Sequence, residues 1–275
     1  MTGLEHATLG VLLLIGLIIG PVLVYIERAR RDRNLYVRRL PGVDAIDEAA
    51  GRSAEIGKPL VFTSGLTSIG PILYACLGVL FYVARKAARY KLRLLAPQCD
   101  PTVMAVIEET VRDAYRSEGR LAFFDPQSIR FLSDEQFAFA AGYMGLVQRE
   151  QIAAAFLFGS FAAESLLLAE AGQQVGAMQV AATTSPEQVA FFICSCDYTL
   201  IGEELFGASA YLSREPVQLG SLYGQDRAKL VFMVLIVIGV LIATWNQSLA
   251  PYFWGPGAGL IPDVMYWLHY ELWAT

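Results

Sequence analysis

Residues 1–27 and 230–275 contain neither lysine nor arginine, and the chain's two histidines, His6 and His269, fall in those same end segments. The long stretch between them therefore has no imidazole, which excludes Ser-His and Cys-His nucleophilic sites there and most zinc sites. Cysteine is scarce too. Cys76, Cys99, Cys194 and Cys196 are too few and too scattered for a disulfide framework, and "CSC" lacks the two-residue gap of zinc and redox pairs. No metal site is expected. No G-x-G-x-x-G opens a helix, and "GLTSIGP" (Gly65–Pro71) has spaced glycines without the lysine of a phosphate loop. No cofactor is expected.

Apolar residues, by contrast, are abundant. They make up 55% of the 275 residues, charged residues only 17%, and the mean hydropathy is +0.44. That balance is too apolar for an ordinary water-soluble enzyme and places part of the chain in lipid. The net charge of −5 and pI near 5.2 argue against nucleic acid as a partner, since duplex binders carry a strongly basic face.

Two segments are candidate spans. Thr8–Tyr25 is uncharged, and its 18 residues are near the lower limit for a hydrocarbon core of about 30 Å. Leu230–Thr244 is shorter, with Lys229 able to snorkel at one end and Trp245 at the other. A signal peptide is the competing reading of the first. It lacks a basic leading region, and arginines follow the apolar run where a small-residue cleavage site would stand.

All 21 Lys and Arg residues lie between Arg28 and Lys229, and six arginines, Arg28, Arg30, Arg31, Arg33, Arg38 and Arg39, crowd the end of the first run. Such a cluster could grip nucleic acid, coat a lipid surface or set membrane orientation. Both candidate spans carry their positive flank toward the middle of the chain, so the arginines and Lys229 are read as topology anchors. The expected arrangement has both termini outside and the main domain in the cytoplasm, with anionic headgroup contact as a by-product. The boundaries are 1–26 for the first transmembrane helix, 27–227 for the cytoplasmic domain, 228–246 for the second transmembrane helix and 247–275 for an extracytoplasmic tail. All four tryptophans, Trp245, Trp254, Trp267 and Trp273, lie in the last 31 residues, which suits an aromatic segment at the membrane interface or a docking surface for another subunit.

Between the spans, short apolar runs alternate with helical stretches. "PLVFT" (59–63), "KLRLLA" (91–96), "SIRFL" (128–132), "IAAAFLF" (152–158) and "AMQVAA" (177–182) are continuous rather than alternating. That is the pattern of a mostly parallel sheet covered on both faces. The expected fold is α/β, a Rossmann-like mostly parallel sheet domain inserted between two transmembrane helices. Helix signals agree: Asp100 caps and Pro101 opens one helix with Val103, Ile107, Val111 and Ala114 on one face, Ser133 and Gln136 have capping-box spacing, and "VDAIDEAAGRSAEIG" is amphipathic. "PILYACLGVLFYVA" (71–84) is read as a buried core helix, because a third span would put the tails on opposite sides.

The segments "RFLSDEQFAFAAG", "FGSFAAESLLLAEAG" and "CDYTLIGEELFGASAYLSREP" resemble an uncharacterised bacterial family of membrane-anchored proteins with a cytoplasmic domain of unknown function. The resemblance implies a bacterial inner-membrane protein with the same two-span plan, and it brings no activity with it.

In an open parallel sheet, ligands settle at the carboxyl ends of the strands. The residues expected there are Ser64, Gly65, Thr67 and Ser68 after the first strand, Asp100 after the second, Gly159, Ser160 and Glu164 after the fourth, and Thr183, Thr184 and Ser185 after the fifth. None is cationic, which favours a small polar ligand over a heavily phosphorylated one. Glu164 falls at helical spacing with Leu167, Leu168 and Ala171 on an inward face, a candidate base or ligand anchor. The favoured alternative makes it a cap for helix N–H groups or the partner of an arginine. In "DYTLIGEEL", Asp197 is read as the N-cap of a helix whose stripe is Ile201, Leu205, Ala208 and Leu212. Glu203 and Glu204, adjacent on that helix, do not converge on one substrate, so the pair is read as structural. The expected function is a membrane-anchored structural or assembly subunit, partnered by the bilayer and by copies of itself or other membrane subunits. The alternative is a tethered domain that binds a small polar ligand as sensor or enzyme.

Overall fold

The computed structural model describes residues 9–31, 41–213 and 215–245. Arg33, Arg38, Arg39, Trp254, Trp267 and Trp273 lie outside the described residues, as do both histidines. The chain divides into two compact units: Met1–Leu35 with Pro216–Thr275, and Tyr36–Glu215.

The first unit contains helices α1 (Leu9–Arg31) and α9 (Pro216–Thr244). At 1.5 Å per residue they are about 35 and 44 Å long. They run antiparallel and meet backbone to backbone. A Cβ built on Gly220 would stand 2.4 Å from Ile26 Cα, and one on Gly224 would stand 2.4 Å from Val22 Cα. Gly220, Gly224 and Ala228, four residues apart, form the buried stripe of α9, an arrangement that lets helices approach closely where lipid provides no hydrophobic drive. The Tyr25 and Tyr223 rings meet beside the contact, tilted by 37° with centroids 5.8 Å apart. Away from it the surface is apolar and open, with Leu23, Val24, Leu230, Met233, Ile236 and Leu241 all exposed.

The second unit is a three-layer α/β body. In chain order it has α2 (Pro41–Ile56), β1 (Leu60–Gly65), α3 (Pro71–Tyr90), β2 (Leu94–Gln98), α4 (Pro101–Ser117), β3 (Ile129–Phe131), α5 (Gln136–Glu150), β4 (Ala154–Ser160), α6 (Ser165–Gln174), β5 (Met178–Thr183), α7 (Pro186–Ser195), β6 (Tyr198–Ile201) and α8 (Glu204–Ser213). The strands form one six-stranded sheet in the order β3-β2-β1-β4-β5-β6, and every neighbouring pair is parallel. β1, β2 and β5 are buried at every position because helices cover both faces. Side chains alternate between the two layers with period two. Leu60, Phe62, Phe156 and Phe158 pack with α2, α3, α4 and α8, whereas Val61, Ala155 and Leu157 pack with α5, α6 and α7. The strand order reverses between β1 and β4, where α5 carries the chain back across the sheet.

The five expected strands and the two-sided core are present. Helix α4 forms as its sequence indicates: Asp100 accepts a hydrogen bond from Thr102 N at 2.7 Å, and Val103, Ile107, Val111 and Ala114 are buried. Among the described residues two helices, α3 and α9, are long and apolar enough to cross a membrane. Half of the apolar stretch of α3 is buried against the rest of the protein, but only 6% of that of α9. α3 is thus the core helix that its 71–84 stretch suggested, with Leu73, Val79, Leu80 and Val83 against the sheet.

Two expectations are corrected. "DYTLIGEEL" does not run as one helix from Asp197: Tyr198–Ile201 forms β6, Gly202 turns the chain at φ +56°, and α8 starts at Glu204. Asp197 accepts a hydrogen bond from Gln179 N at 2.7 Å and so ties β6 to β5. Ile201 lies on the strand and is half exposed, leaving Leu205 and Ala208 as the buried stripe of α8. Ser133 and Gln136 do not form a capping box either. Glu135 precedes α5 as its cap residue, Ser133 Oγ accepts from Glu135 N at 3.1 Å, and the Gln136 amide reaches elsewhere.

Candidate functional site at the strand ends

β1 ends in Thr63-Ser64-Gly65 and β4 in Phe158-Gly159-Ser160, side by side at the point where the strand order reverses. In open α/β sheets this is where a crevice forms. Here the chain's own hydrogen bonds close it. Thr67 Oγ1 donates to the Ser64 carbonyl and accepts from Ser160 N at 2.7 Å, while Leu66 N donates to the Ser160 carbonyl at 2.9 Å. Ser64 Oγ donates to Gln98 Oε1 at 2.6 Å, linking β1 to β2. Glycine is required at both strand ends. Gly65 has φ +59°, with the Phe161 ring 2.5 Å from where a Cβ would stand, and a Cβ on Gly159, at φ +155°, would be 2.2 Å from the Ser64 carbonyl oxygen.

The open space lies beside this knot, over β1 and β2. A cleft of about 500 Å³ is lined by Leu66, Cys99, Asp100, Pro101, Asp134 and Gln136. Its polar groups are two carboxylates, an amide and a thiol. Cys99 Sγ donates to the Gly65 carbonyl at 2.8 Å, and burial, assisted by Asp100, pushes the thiol up to about 11, so it is protonated at neutral pH and is no nucleophile. Behind the cleft sits Glu164, with no exposed surface. Its Oε2 accepts from Gln136 Nε2 at 2.6 Å and its Oε1 from Ala162 N at 3.0 Å.

Glu164 is therefore neither a cap for helix N–H groups nor the partner of an arginine. It precedes the first turn of α6 instead of sitting within the helix, and its side chain does not cap the α6 N–H groups. Among the described residues no arginine or lysine pairs with it. It instead fixes the turn after β4 and, through Gln136, the start of α5.

Of the other expected residues, only Asp100 lines the cleft. Ser64, Gly65, Thr67 and Ser160 belong to the knot between β1 and β4. Ser68 is exposed on the loop before α3, and Thr184 lies after β5, where Ser185 N donates to Thr183 Oγ1 at 3.3 Å. Asp134 and Gln136 were not anticipated. Both follow β3, and the rule that selects strand ends applies to that loop as it does to the others. Glu204 accepts from Ile201 N at 3.0 Å and so caps the outer edge of β6. The Cys196 thiol is pushed up to about 12, by burial first and then by Asp197. Among the described residues no three His, Cys, Asp or Glu side chains gather as a metal site.

The architecture defines the class: a mixed α/β protein with a six-stranded all-parallel sheet and, in a separate unit, a close-packed pair of apolar helices. The chain belongs to the family defined by a domain of unknown function (DUF6754), whose model matches residues 3–252 and so takes in the sheet unit and both of these helices. No curated protein and no solved structure matches the chain.

Proposed function

We propose that the chain is a membrane-anchored assembly subunit: α1 and α9 span a bacterial inner membrane, both termini lie outside, and a Rossmann-like sheet domain is held in the cytoplasm as part of a larger complex. The anchor reading is supported by the open apolar surface of α9 and by the confinement of Lys and Arg to residues 28–229. The observation that carries the assembly reading is the end of the sheet at β6. There the last three elements expose Phe191 and Ile193 on α7, Ile201 on β6 and Phe206 on α8, each between 37% and 55% accessible. Large apolar side chains exposed on the edge strand and on the helices that flank it on either face support an interaction surface at this edge. Edge-to-edge strand pairing is not its mode, because Glu204 occupies the Ile201 N–H.

A second reading has one observation in its favour. The cleft of about 500 Å³ at the ends of β1 and β2, with Gln136 held by the buried Glu164, suits a small polar ligand bearing hydrogen-bond donors or a positive charge. Extraction in mild detergent with size measurement distinguishes the two. Assembly gives a discrete particle well above the 30.1 kDa chain, with defined stoichiometry. A monomer whose melting temperature rises with a small polar metabolite favours the cleft instead.

A further inference from the structure

The α1–α9 contact sets a register that mismatches the two helices in depth. With Gly220 against Ile26 and Gly224 against Val22, Arg28 lies level with Gln218, while Lys229 lies level with Leu17. The two cationic flanks are therefore offset by 11 residues, about 16 Å along the axis. Where α1 presents the exposed apolar residues Leu17, Ile18, Ile19, Leu23 and Val24, α9 presents Gln225, Asp226, Arg227 and Lys229. No single bilayer boundary suits both helices. Placed at Arg28, it puts Asp226, Arg227 and, deeper still, Lys229 in hydrocarbon; placed at Lys229, it leaves that stretch of α1 in water.

The placement of the charges around α9 offers a way out. At 100° per residue, Asp226 lies on the side opposite Gly224 and Ala228, the residues that receive α1. Asp226 continues into Leu230, Met233, Val237, Val240 and Thr244, all exposed and spaced alternately four and three apart. That is the 3.5-residue seam of a left-handed helix pair. Every residue of this helix beyond Lys229 up to Thr244 is uncharged, so Asp226 and Arg227 are what single out this face. In a parallel pair of α9 helices, a residue next to the seam flanks the seam residue of the partner at the same height, which brings opposite charges together on both sides of a two-fold axis. Neither Asp226 nor Arg227 has an ion-pair partner among the described residues. An unpaired charge at this depth is costly, and a membrane helix meets that cost by pairing inside a bundle.

We propose that two copies of this chain meet along that seam, α9 parallel to α9, with each copy's Asp226 beside Arg227 of the other. This rests on the assembly reading and names its partner as a second copy. The pairing shields both charges from lipid and lets the anchor settle toward the Arg28 boundary.

The test uses the full chain in native membranes, with the exposed Cys194 replaced by serine. Met233→Cys and Val237→Cys are expected to give oxidised dimers, at least fivefold more than Val231→Cys on the side that faces α1. Asp226→Arg alone and Arg227→Asp alone each lower the Met233→Cys dimer at least fivefold, and the double exchange restores it to within twofold. Two differently tagged copies, otherwise unaltered, co-isolate. Equal dimer from Val231→Cys and Met233→Cys, or failure of the double exchange to restore it, overturns the seam. If the tagged copies co-isolate without seam dimers, the seam is wrong and the assembly reading stands; a lone monomer in mild detergent overturns both.

Discussion

The Thr67 hydroxyl holds the carboxyl ends of β1 and β4 together, donating to the Ser64 carbonyl and accepting from Ser160 N at 2.7 Å. Thr67 and Ser160 are 93 residues apart in sequence. Their bond stands where a doubly wound sheet would otherwise open a ligand crevice, so the available space is displaced toward β2 and α5.

Replacing Thr67 with valine keeps the shape and removes both hydrogen bonds, leaving a buried carbonyl and an amide without their partner. The expected cost is about 2–3 kcal/mol. Thr67→Ser, which keeps the hydroxyl, is expected to lose less than half of that. Chemical denaturation of the purified chain, followed by far-ultraviolet circular dichroism, checks both. Equal stability of Thr67→Val and the parent would show that the knot does not hold the two strand ends.

Gly159 carries a second constraint at the same place. Gly159→Ala introduces a methyl at φ +155° whose nearest neighbour is backbone at 2.2 Å, and backbone cannot swing aside as a side chain can. The expected loss is more than about 3 kcal/mol. Gly145→Ala is the control: it lies in α5 with nothing within 4 Å of the new carbon and is expected to gain about 0.5–1 kcal/mol. Melting temperatures of the two variants should move in opposite directions.

Much of this arrangement is legible in the sequence. β1, β4 and β5 are continuous apolar runs, and Asp100-Pro101 marks the start of α4 through a cap whose geometry is local. β6 was hidden because Ile201, Leu205, Ala208 and Leu212 fall at helical spacing across a strand, a turn and a helix. The contrary signal is Tyr198, Thr199 and Ile201, aromatic and β-branched, followed by Gly202 at positive φ. Glu164 was legible as an inward carboxylate, but its partner was not, because Gln136 lies 28 residues away and reaches it only through the packing of α5 beside α6. The close approach of α1 and α9 had a local sign in the four-residue spacing of Gly220 and Gly224, whereas the register of the two helices depends on which residues of α1 they meet.

Glu164→Gln tests what the buried carboxylate contributes. Its Oε2 accepts from an amide and its Oε1 from a backbone N–H, and glutamine offers only one acceptor oxygen and adds a donor. One of the two bonds is expected to be lost, at a cost of about 1–3 kcal/mol. Gln136→Glu made together with it reverses the donor and the acceptor, and is expected to recover at least half of the loss. Urea denaturation of the two variants and the double variant gives the coupling between the residues. No recovery would mean that Glu164 acts through Ala162 alone.

The pH dependence of the sheet unit has an identifiable contributor in Glu118. Its carboxylate is held below the ordinary glutamate value by hydrogen bonding to Arg85, with Arg89 assisting, at 2.7 and 3.3 Å. A carboxylate depressed in the folded state binds its proton less readily there than in the unfolded chain. Its stabilisation is therefore present above about pH 4.5 and disappears as the pH falls through the folded-state value. The arginines are 42% and 54% exposed, so solvent screening limits the contribution to about 0.5–1 kcal/mol. Glu118→Gln should accordingly be less stable than the parent by that amount at pH 7, and the difference should shrink as the pH falls below about 4.5. A difference that persisted undiminished at pH 3 would assign the effect to packing of the side chain instead of its charge.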